Sequence, residues 1–136
     1  MDDVLINKAA IIEKCLARVD EEYRGHEVEF LENFTKQDSV ILNIQRAIQA
    51  AVDMSTHIVR IKKLGIPQNS AETFSLLEDE NIIDKVLSVR LQKMIGFRNI
   101  AVHDYQKLDL DIVVAVIEKN LVDLKTFKST VLTKLV

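Results

Sequence analysis

The side chains best suited to chemistry are concentrated in one short stretch of the chain. Five of the eight residues from 98 to 105 are polar or ionisable. Arg98 carries a planar guanidinium that matches the oxygens of a phosphate group. His103 carries an imidazole, the side chain best matched to proton transfer near neutral pH. The pair predicts cleavage of a phosphodiester. His103 would take the proton of a ribose 2′-hydroxyl or give one to the leaving 5′-oxygen, and Arg98 would stabilise the charge that develops at phosphorus.

Helical geometry limits how these residues can meet. At about 100° per residue, the five steps from Arg98 to His103 leave a net rotation of about 140°, whereas Tyr105 returns to within about 20° of Arg98. Either the helix ends near Val102 and the chain carries His103 back, or each site borrows residues from a second subunit. Both arrangements place the motif at the edge of a cleft, where Tyr105 could hydrogen-bond to a base or stack on it.

The elements that must position this motif show helical periodicity almost throughout. The strongest pattern covers residues 40–64, where apolar residues recur at spacings of four and three in two adjacent stripes. Such a wide apolar arc predicts contact with more than one neighbouring helix. A second stripe covers residues 5–23, Gly25 marks a break, and Asp38 is a plausible N-cap of the long helix. The segment between them predicts a short helix with three apolar residues: Val28, Leu31 and Phe34.

The second half of the chain also shows the periodicity of helices. Residues 65–70 form the only clear loop signal, and Ser70 is a plausible cap of a short helix through residue 78. Asp84 starts the helix that leads to Arg98, and Asp109 starts a last long helix. The predicted fold is an all-α bundle of five or six helices, mostly antiparallel, in a single domain of residues 1–136.

Composition excludes several classes of protein. Three glycines and one proline are too few for the turns of an all-β fold. The single cysteine, Cys15, excludes an intramolecular disulfide framework and a cysteine-rich zinc module. His26, His57 and His103 lack any recognised metal-ligand spacing, so no metal site is expected. The apolar runs are too short to span a membrane and the N-terminus lacks a secretory signal, so we expect a cytoplasmic protein.

The charge balance excludes a protein that coats nucleic acid, because the formal net charge is −3. The charges are unevenly distributed, however. Residues 1–34 hold nine acidic and four basic residues, whereas residues 84–107 hold five basic and two acidic ones. A nucleic-acid backbone interacts with local charge, within a Debye length of about 8 Å at physiological salt. A single basic cleft that cuts RNA is therefore compatible with an acidic chain.

The pattern Arg98-Asn99-x-x-x-His103-x-Tyr105 resembles the signature of the HepT-like toxins, a family of HEPN-fold ribonucleases. Residues 41–53 resemble the family's long second helix, and the similarity covers essentially the whole chain. The resemblance implies a HEPN-type bundle acting as a homodimer, with two Arg–His motifs facing one cleft. It also implies a metal-independent endoribonuclease without a cofactor, which leaves a 2′,3′-cyclic phosphate on RNA. Arg98 and His103 would be the catalytic pair, with Asn99 as the polar second position.

The resemblance implies a protein partner as well. HepT-like toxins are encoded beside a minimal nucleotidyltransferase antitoxin, which transfers AMP to the tyrosine of the motif, here Tyr105. A bulky anion at this position would block RNA and repel its backbone.

Simpler interpretations remain open at the level of the sequence. Arg98 could satisfy carbonyl groups at the helix end, His103 could be hydrogen-bonded in the core, and Tyr105 could be a core aromatic residue. Asp53 could face the cleft and orient His103 or Arg98, or it could form a simple helix pair with His57 four residues later. As a whole, the chain could instead be a non-catalytic helical subunit that binds nucleotides or RNA for a nucleotidyltransferase, or a plain dimerisation domain.

Overall fold

Helices make up every regular element of residues 2–136, the part of the chain that this computed structural model describes. A π-helical turn, Val116–Asn120, joins the last two helices without a break, so the helices number six when these two are counted as one. The predicted all-α bundle of five or six helices is confirmed. The elements are α1 (Asp3–Tyr23), α2 (Glu27–Phe30), α3 (Phe34–Ile61), α4 (Ser70–Asp79), α5 (Lys85–His103), a 3₁₀ turn (Tyr105–Lys107), α6 (Leu110–Ala115) and α7 (Leu121–Leu135).

The long helix α3 lies at the centre of the bundle. It packs most extensively on α1 and also contacts α4, α5 and α7, as the predicted wide apolar arc requires. Ala47 and Ala51 are completely buried, and small side chains at such positions allow a neighbouring helix to approach closely. Both predicted stripes of α3 are buried except Ile61, which lies at its last turn, and the whole predicted stripe of α1 is buried. Among residues 2–136, no helix combines the length and the apolarity needed to cross a bilayer.

The connection between α1 and α3 differs from the prediction. Helix α3 begins at Phe34, where the side chain of Asn33 accepts a hydrogen bond of 3.0 Å from the backbone N–H of Lys36. Asp38 is therefore not an N-cap but lies inside the helix. Helix α2 has a single turn, too short to express a helical stripe, and its buried residue is Phe30, whose ring meets that of Tyr23 edge-on at 5.2 Å. The three predicted apolar residues are each more than half exposed: Val28, Leu31 and Phe34.

The first residues of the later helices mostly agree with the predictions from the sequence. The side chains of Asp84 and Asp109 cap α5 and α6, as predicted, by accepting hydrogen bonds of 2.8 Å from backbone N–H groups. Helix α4 is capped by Asn69 rather than by Ser70, since the Asn69 side chain accepts from the N–H of Glu72 at 2.9 Å. The predicted element is correct, and its boundary shifts by one residue.

The π-helical turn changes which residues of the last helix face the core. A π turn inserts one extra residue per turn and so rotates the following stripe. Val113 and Phe127, which the regular spacing did not include, are fully buried, whereas Leu110 and Val114 are only half-buried. Lys128, the exception in the predicted stripe, reaches out of the interface to Glu13 on α1 at 2.9 Å.

Candidate active site

The sequence motif lies at the C-terminal end of α5. Leu87, Leu91 and Met94 are buried, as predicted, and anchor the helix against the bundle. Gly96 does not interrupt it: α5 continues to His103, and the backbone N–H of Asp104 closes the last turn on Ile100 at 2.8 Å. The helix thus ends one residue beyond Val102, and the chain then enters the 3₁₀ turn that carries Tyr105.

Arg98 is held on two sides by side chains. Its guanidinium donates one hydrogen bond of 3.0 Å to Oε1 of Gln49 on α3 and another of 2.9 Å to Oδ1 of Asn99. These partners are side-chain oxygens rather than carbonyl groups of the helix end. A guanidinium has five N–H donors, so two such bonds fix its plane and leave further donors for an anion. Because Arg98 is only half-buried, an anion can reach it from solvent.

Gln49 connects Arg98 to the carboxylate of Asp53, one turn further along α3. The amide of Gln49 donates to Oδ1 of Asp53 at 2.9 Å, and Oδ2 of Asp53 lies 3.1 Å from Nζ of Lys8 on α1. Asp53 therefore reaches Arg98 through Gln49. The alternative Asp53–His57 helix pair is wrong, because Nε2 of His57 lies 2.8 Å from a carboxylate oxygen of Asp2 at the start of α1.

His103 has an exposed imidazole at the last residue of α5. It is not the buried core histidine of the simpler interpretation. Since α5 is unbroken from Arg98 to His103, the two side chains leave the helix about 140° apart and about 7.5 Å apart along its axis. One chain therefore presents its arginine and its histidine in different directions.

Tyr105 lies in the 3₁₀ turn and is 44% exposed. Its hydroxyl donates a hydrogen bond to Oδ1 of Asp38 on α3. Partial burial of the phenol and the neighbouring Asp38 carboxylate together raise the pKa of Tyr105 to about 12. The simpler interpretation of Tyr105 as a core aromatic residue is wrong, because the residue is 44% exposed and Asp38 on α3 accepts a hydrogen bond from its hydroxyl.

Two residues beside the motif were not predicted. Gln49 has a visible signal, since it lies four residues before Asp53 on the polar face of a helix that was predicted clearly. Asp38 has none, because its partner Tyr105 lies 67 residues away and its position near a helix start suggested a cap instead.

Basic residues also line a cavity beside α5, on a side of the helix that does not include Arg98. The cavity measures about 500 Å³ and opens between α5 and α6, with Arg90, Lys93 and Lys107 in its lining and Phe97 and Ile112 among its apolar residues. Local positive charge of this kind favours a nucleic-acid backbone. Within residues 2–136, no group of three or more histidine, cysteine or acidic side chains is arranged to hold a metal ion.

Comparison with known proteins agrees with the architecture and the motif. A family model described as Ribonuclease HepT-like matches residues 12–131. The chain belongs to the HepT-like ribonuclease family. It is 50% identical to the mRNA nuclease HepT of Shewanella oneidensis over 127 residues, which cover 93% of this chain and 95% of that protein.

Solved structures resemble this HepT-like chain over nearly its whole length. One is a crystal structure of a toxin–antitoxin with AMP-PNP, at 46% identity and a TM-score of 0.93. Another is the tri-AMPylated Shewanella oneidensis HEPN toxin in complex with MNT antitoxin, at 47% identity and a TM-score of 0.93. Each match covers 98% of this chain and 100% of the other. The predicted HEPN fold is confirmed.

The raised pKa of Tyr105 predicts an unusual alkaline titration. The other tyrosine, Tyr23, also has its pKa raised to about 12, by burial and by a hydrogen bond with Glu118. Each phenol of the HepT-like chain should therefore stay at least about nine-tenths protonated between pH 9 and 11, as measured by ultraviolet absorbance. A raised pKa favours the protonated phenol, so this stabilisation is complete below pH 10 and is lost as the pH rises through about 12.

Substitution of Asp38 tests the part of the shift that the carboxylate adds to the effect of burial. Asp38→Asn removes the negative charge beside Tyr105, so one of the two tyrosines should begin to titrate between pH 9 and 11. The double variant Asp38→Asn with Tyr105→Phe should lose that signal again. A full tyrosinate signal from the unsubstituted protein at pH 10 would contradict the assigned environment of both phenols.

Proposed function

We propose that this HepT-like protein is the toxin of a toxin–antitoxin pair and cleaves cellular RNA as a metal-independent endoribonuclease. The observation that carries the proposal is the arrangement at the end of α5. There Gln49 and Asn99 fix the Arg98 guanidinium, while the imidazole of His103 is open to solvent. Membership of a ribonuclease family and 50% identity to an mRNA nuclease support the same activity.

The chemistry follows from the two side chains. His103 removes the proton of a ribose 2′-hydroxyl, whose oxygen attacks the neighbouring phosphorus, or protonates the leaving 5′-oxygen. Arg98 binds the phosphate oxygens and stabilises the charge that builds up on them. The product is a 2′,3′-cyclic phosphate. Asn99 positions Arg98 directly, and Asp53 does so through Gln49.

We further propose that two copies of the chain form the cleft. The directions of Arg98 and His103 differ by about 140° on an unbroken helix, so one copy does not aim both at the same phosphate. A second copy facing the first would bring two motifs to one cleft. Apolar side chains beside Arg98 on α5 and one turn after Asp38 on α3 are about two-fifths to one-half exposed, which suits a surface that a second copy covers: Leu42 and Val102.

Control by a nucleotidyltransferase antitoxin completes the proposal. The solved structures that resemble this chain include a tri-AMPylated HEPN toxin in complex with MNT antitoxin. Tyr105 is the modification site that we propose, since its hydroxyl is polar, partly exposed and two residues from His103. An AMP group there adds negative charge and bulk beside the two catalytic side chains, and it therefore repels and blocks RNA.

Arg98→Ala and His103→Ala should each reduce cleavage of total RNA by at least about 100-fold, because each removes a group that acts on the reacting phosphate. Cleavage is followed by electrophoresis with EDTA present. Arg18→Ala and His26→Ala, which alter exposed ion pairs on α1 and α2, serve as matched controls and should cleave normally. Loss of cleavage on adding EDTA, or full activity of His103→Ala, would contradict the proposal.

The protein should have twice its chain mass of 15.5 kDa in solution at micromolar concentration, as measured by light scattering. Val102→Asp places a charge on the proposed contact surface and should shift the mass toward that of one chain, with loss of RNA cleavage. Val28→Asp, a substitution of the same kind on the distant and exposed α2, should leave the mass doubled. A single-chain mass for the unsubstituted protein would rule out the dimer.

Incubation with ATP and the nucleotidyltransferase encoded beside this chain should increase the intact mass by one or more AMP groups and abolish RNA cleavage. Tyr105→Phe should show no increase, since it lacks the accepting hydroxyl. Tyr23 is only 4% exposed and should stay unmodified in peptide mapping. AMP found on another residue, or on Tyr105→Phe, would refute Tyr105 as the acceptor.

A further inference from the structure

The contact between Tyr105 and Asp38 has no part in the cleavage of RNA described above. It joins the 3₁₀ turn after α5 to the second turn of α3. Both residues are at least partly exposed, so the hydrogen bond lies at the surface rather than in the core. An exposed contact of this kind contributes little to the stability of the fold.

We propose that Asp38 is the general base that activates Tyr105 for AMP transfer, an inference that rests on the proposed modification of Tyr105. The carboxylate contacts the reacting hydroxyl itself. A candidate base must lie within hydrogen-bond reach of the proton that it removes, and Asp38 meets this requirement before any partner has bound.

The direction of the hydrogen bond suits a nucleophile. The hydroxyl of Tyr105 donates its proton to Oδ1 of Asp38, so the phenolic oxygen keeps its lone pairs for attack. With 44% of the residue exposed, a nucleotide bound by a partner protein can approach that oxygen.

Transfer of AMP to Tyr105 needs ATP as its only other reactant. The phenolic oxygen of Tyr105 forms a bond to the α-phosphorus of ATP, and the bond from that phosphorus to the bridging oxygen breaks. Pyrophosphate leaves with the bonding electron pair. The phenolic proton passes to the carboxylate of Asp38 and from there to water.

A base is required because the phenol is almost entirely protonated near neutral pH. With the pKa of Tyr105 raised to about 12, only about one molecule in 10⁵ carries a phenolate at pH 7. Carboxylates are much weaker bases than phenolates, so the proton moves only as the new P–O bond forms and the phenolic oxygen becomes acidic.

Tyr105 differs from the second tyrosine in having both a carboxylate partner and an exposed hydroxyl. Tyr23 also interacts with a carboxylate, that of Glu118, but it is only 4% exposed and its ring packs on Phe30. Tyr23 therefore has a carboxylate partner but no access for a nucleotide. Tyr105 has both the partner and the access.

The experiment measures the initial rate of AMP transfer to the full chain, with ATP and the nucleotidyltransferase encoded beside it, by intact-mass spectrometry. Asp38→Asn keeps an oxygen that can accept from Tyr105 but is not a base, whereas Asp38→Ala removes both functions. Both variants should slow the first transfer by about 100-fold or more, the usual contribution of a general base. Asp38→Glu should restore part of the rate, and Asp79→Asn, an exposed carboxylate at the end of α4, is the control with an unchanged rate.

The steps after the first transfer give a second readout. One phenolic oxygen can bond to only one AMP, so any further AMP is accepted by a different oxygen. The Asp38→Asn variant is therefore first singly modified by long incubation. From that point it should take up further AMP at a rate similar to that of the singly modified, unsubstituted chain. Thermal melting followed by circular dichroism confirms that each variant is folded.

The outcomes separate this inference from the proposed function. If the unsubstituted chain takes up no AMP on Tyr105, the proposed modification itself fails. If it does, and Asp38→Asn reacts at the unsubstituted rate while Asp38→Ala is slow, Asp38 only positions the hydroxyl and the base assignment is overturned. Equal rates for all three proteins also overturn it.

Discussion

A hydrogen bond from Arg98 to Gln49 ties the end of α5 to the middle of α3, and the proposed chemistry depends on it. An arginine at the end of a helix has many rotamers, and fixing it costs up to about 2 kcal/mol of side-chain entropy. Here the fold supplies the restraint, because Gln49 is itself bonded to Asp53, and Asp53 pairs with Lys8 on α1. The guanidinium is therefore held by a row of side chains that crosses three helices.

The rigidity of that row originates in the packing of α3. Its wide apolar arc is buried against four other helices, which leaves one narrow polar face. Gln49 and Asp53 lie on this face, and Asp38 lies on the same helix about 22 Å from Asp53 along the axis. One helix therefore positions both the arginine proposed to cleave RNA and the tyrosine proposed to be modified. Both proposed reactions therefore depend on the position of α3.

The sequence predicted the elements whose signals are local and repeated. The stripes of α1 and α3, the caps at Asp84 and Asp109, and the buried face of α5 all depend on regular spacing, and each is present in the structure. The motif and its resemblance to HepT-like toxins identified the family. Asp38 was missed because its partner Tyr105 lies 67 residues away, a distance over which helical periodicity carries no information. Gln49 had a local signal, since it lies four residues before Asp53, but its contact with Arg98 spans 49 residues. The π turn was missed for a related reason, since it breaks the period on which the prediction of a buried stripe depends.

The hydrogen bond between Tyr105 and Asp38 would also determine what the proposed modification does to the surface around it. Once an AMP group is bonded to the phenolic oxygen, that oxygen has no proton to donate. Asp38 then faces a phosphodiester instead of a hydroxyl, and an attractive contact becomes repulsion between two anions. The added nucleotide would thus do more than occupy space, because it would release the 3₁₀ turn from α3 and push the modified side chain outward. The contact that orients the unmodified Tyr105 is thus the one that the proposed AMP group would remove.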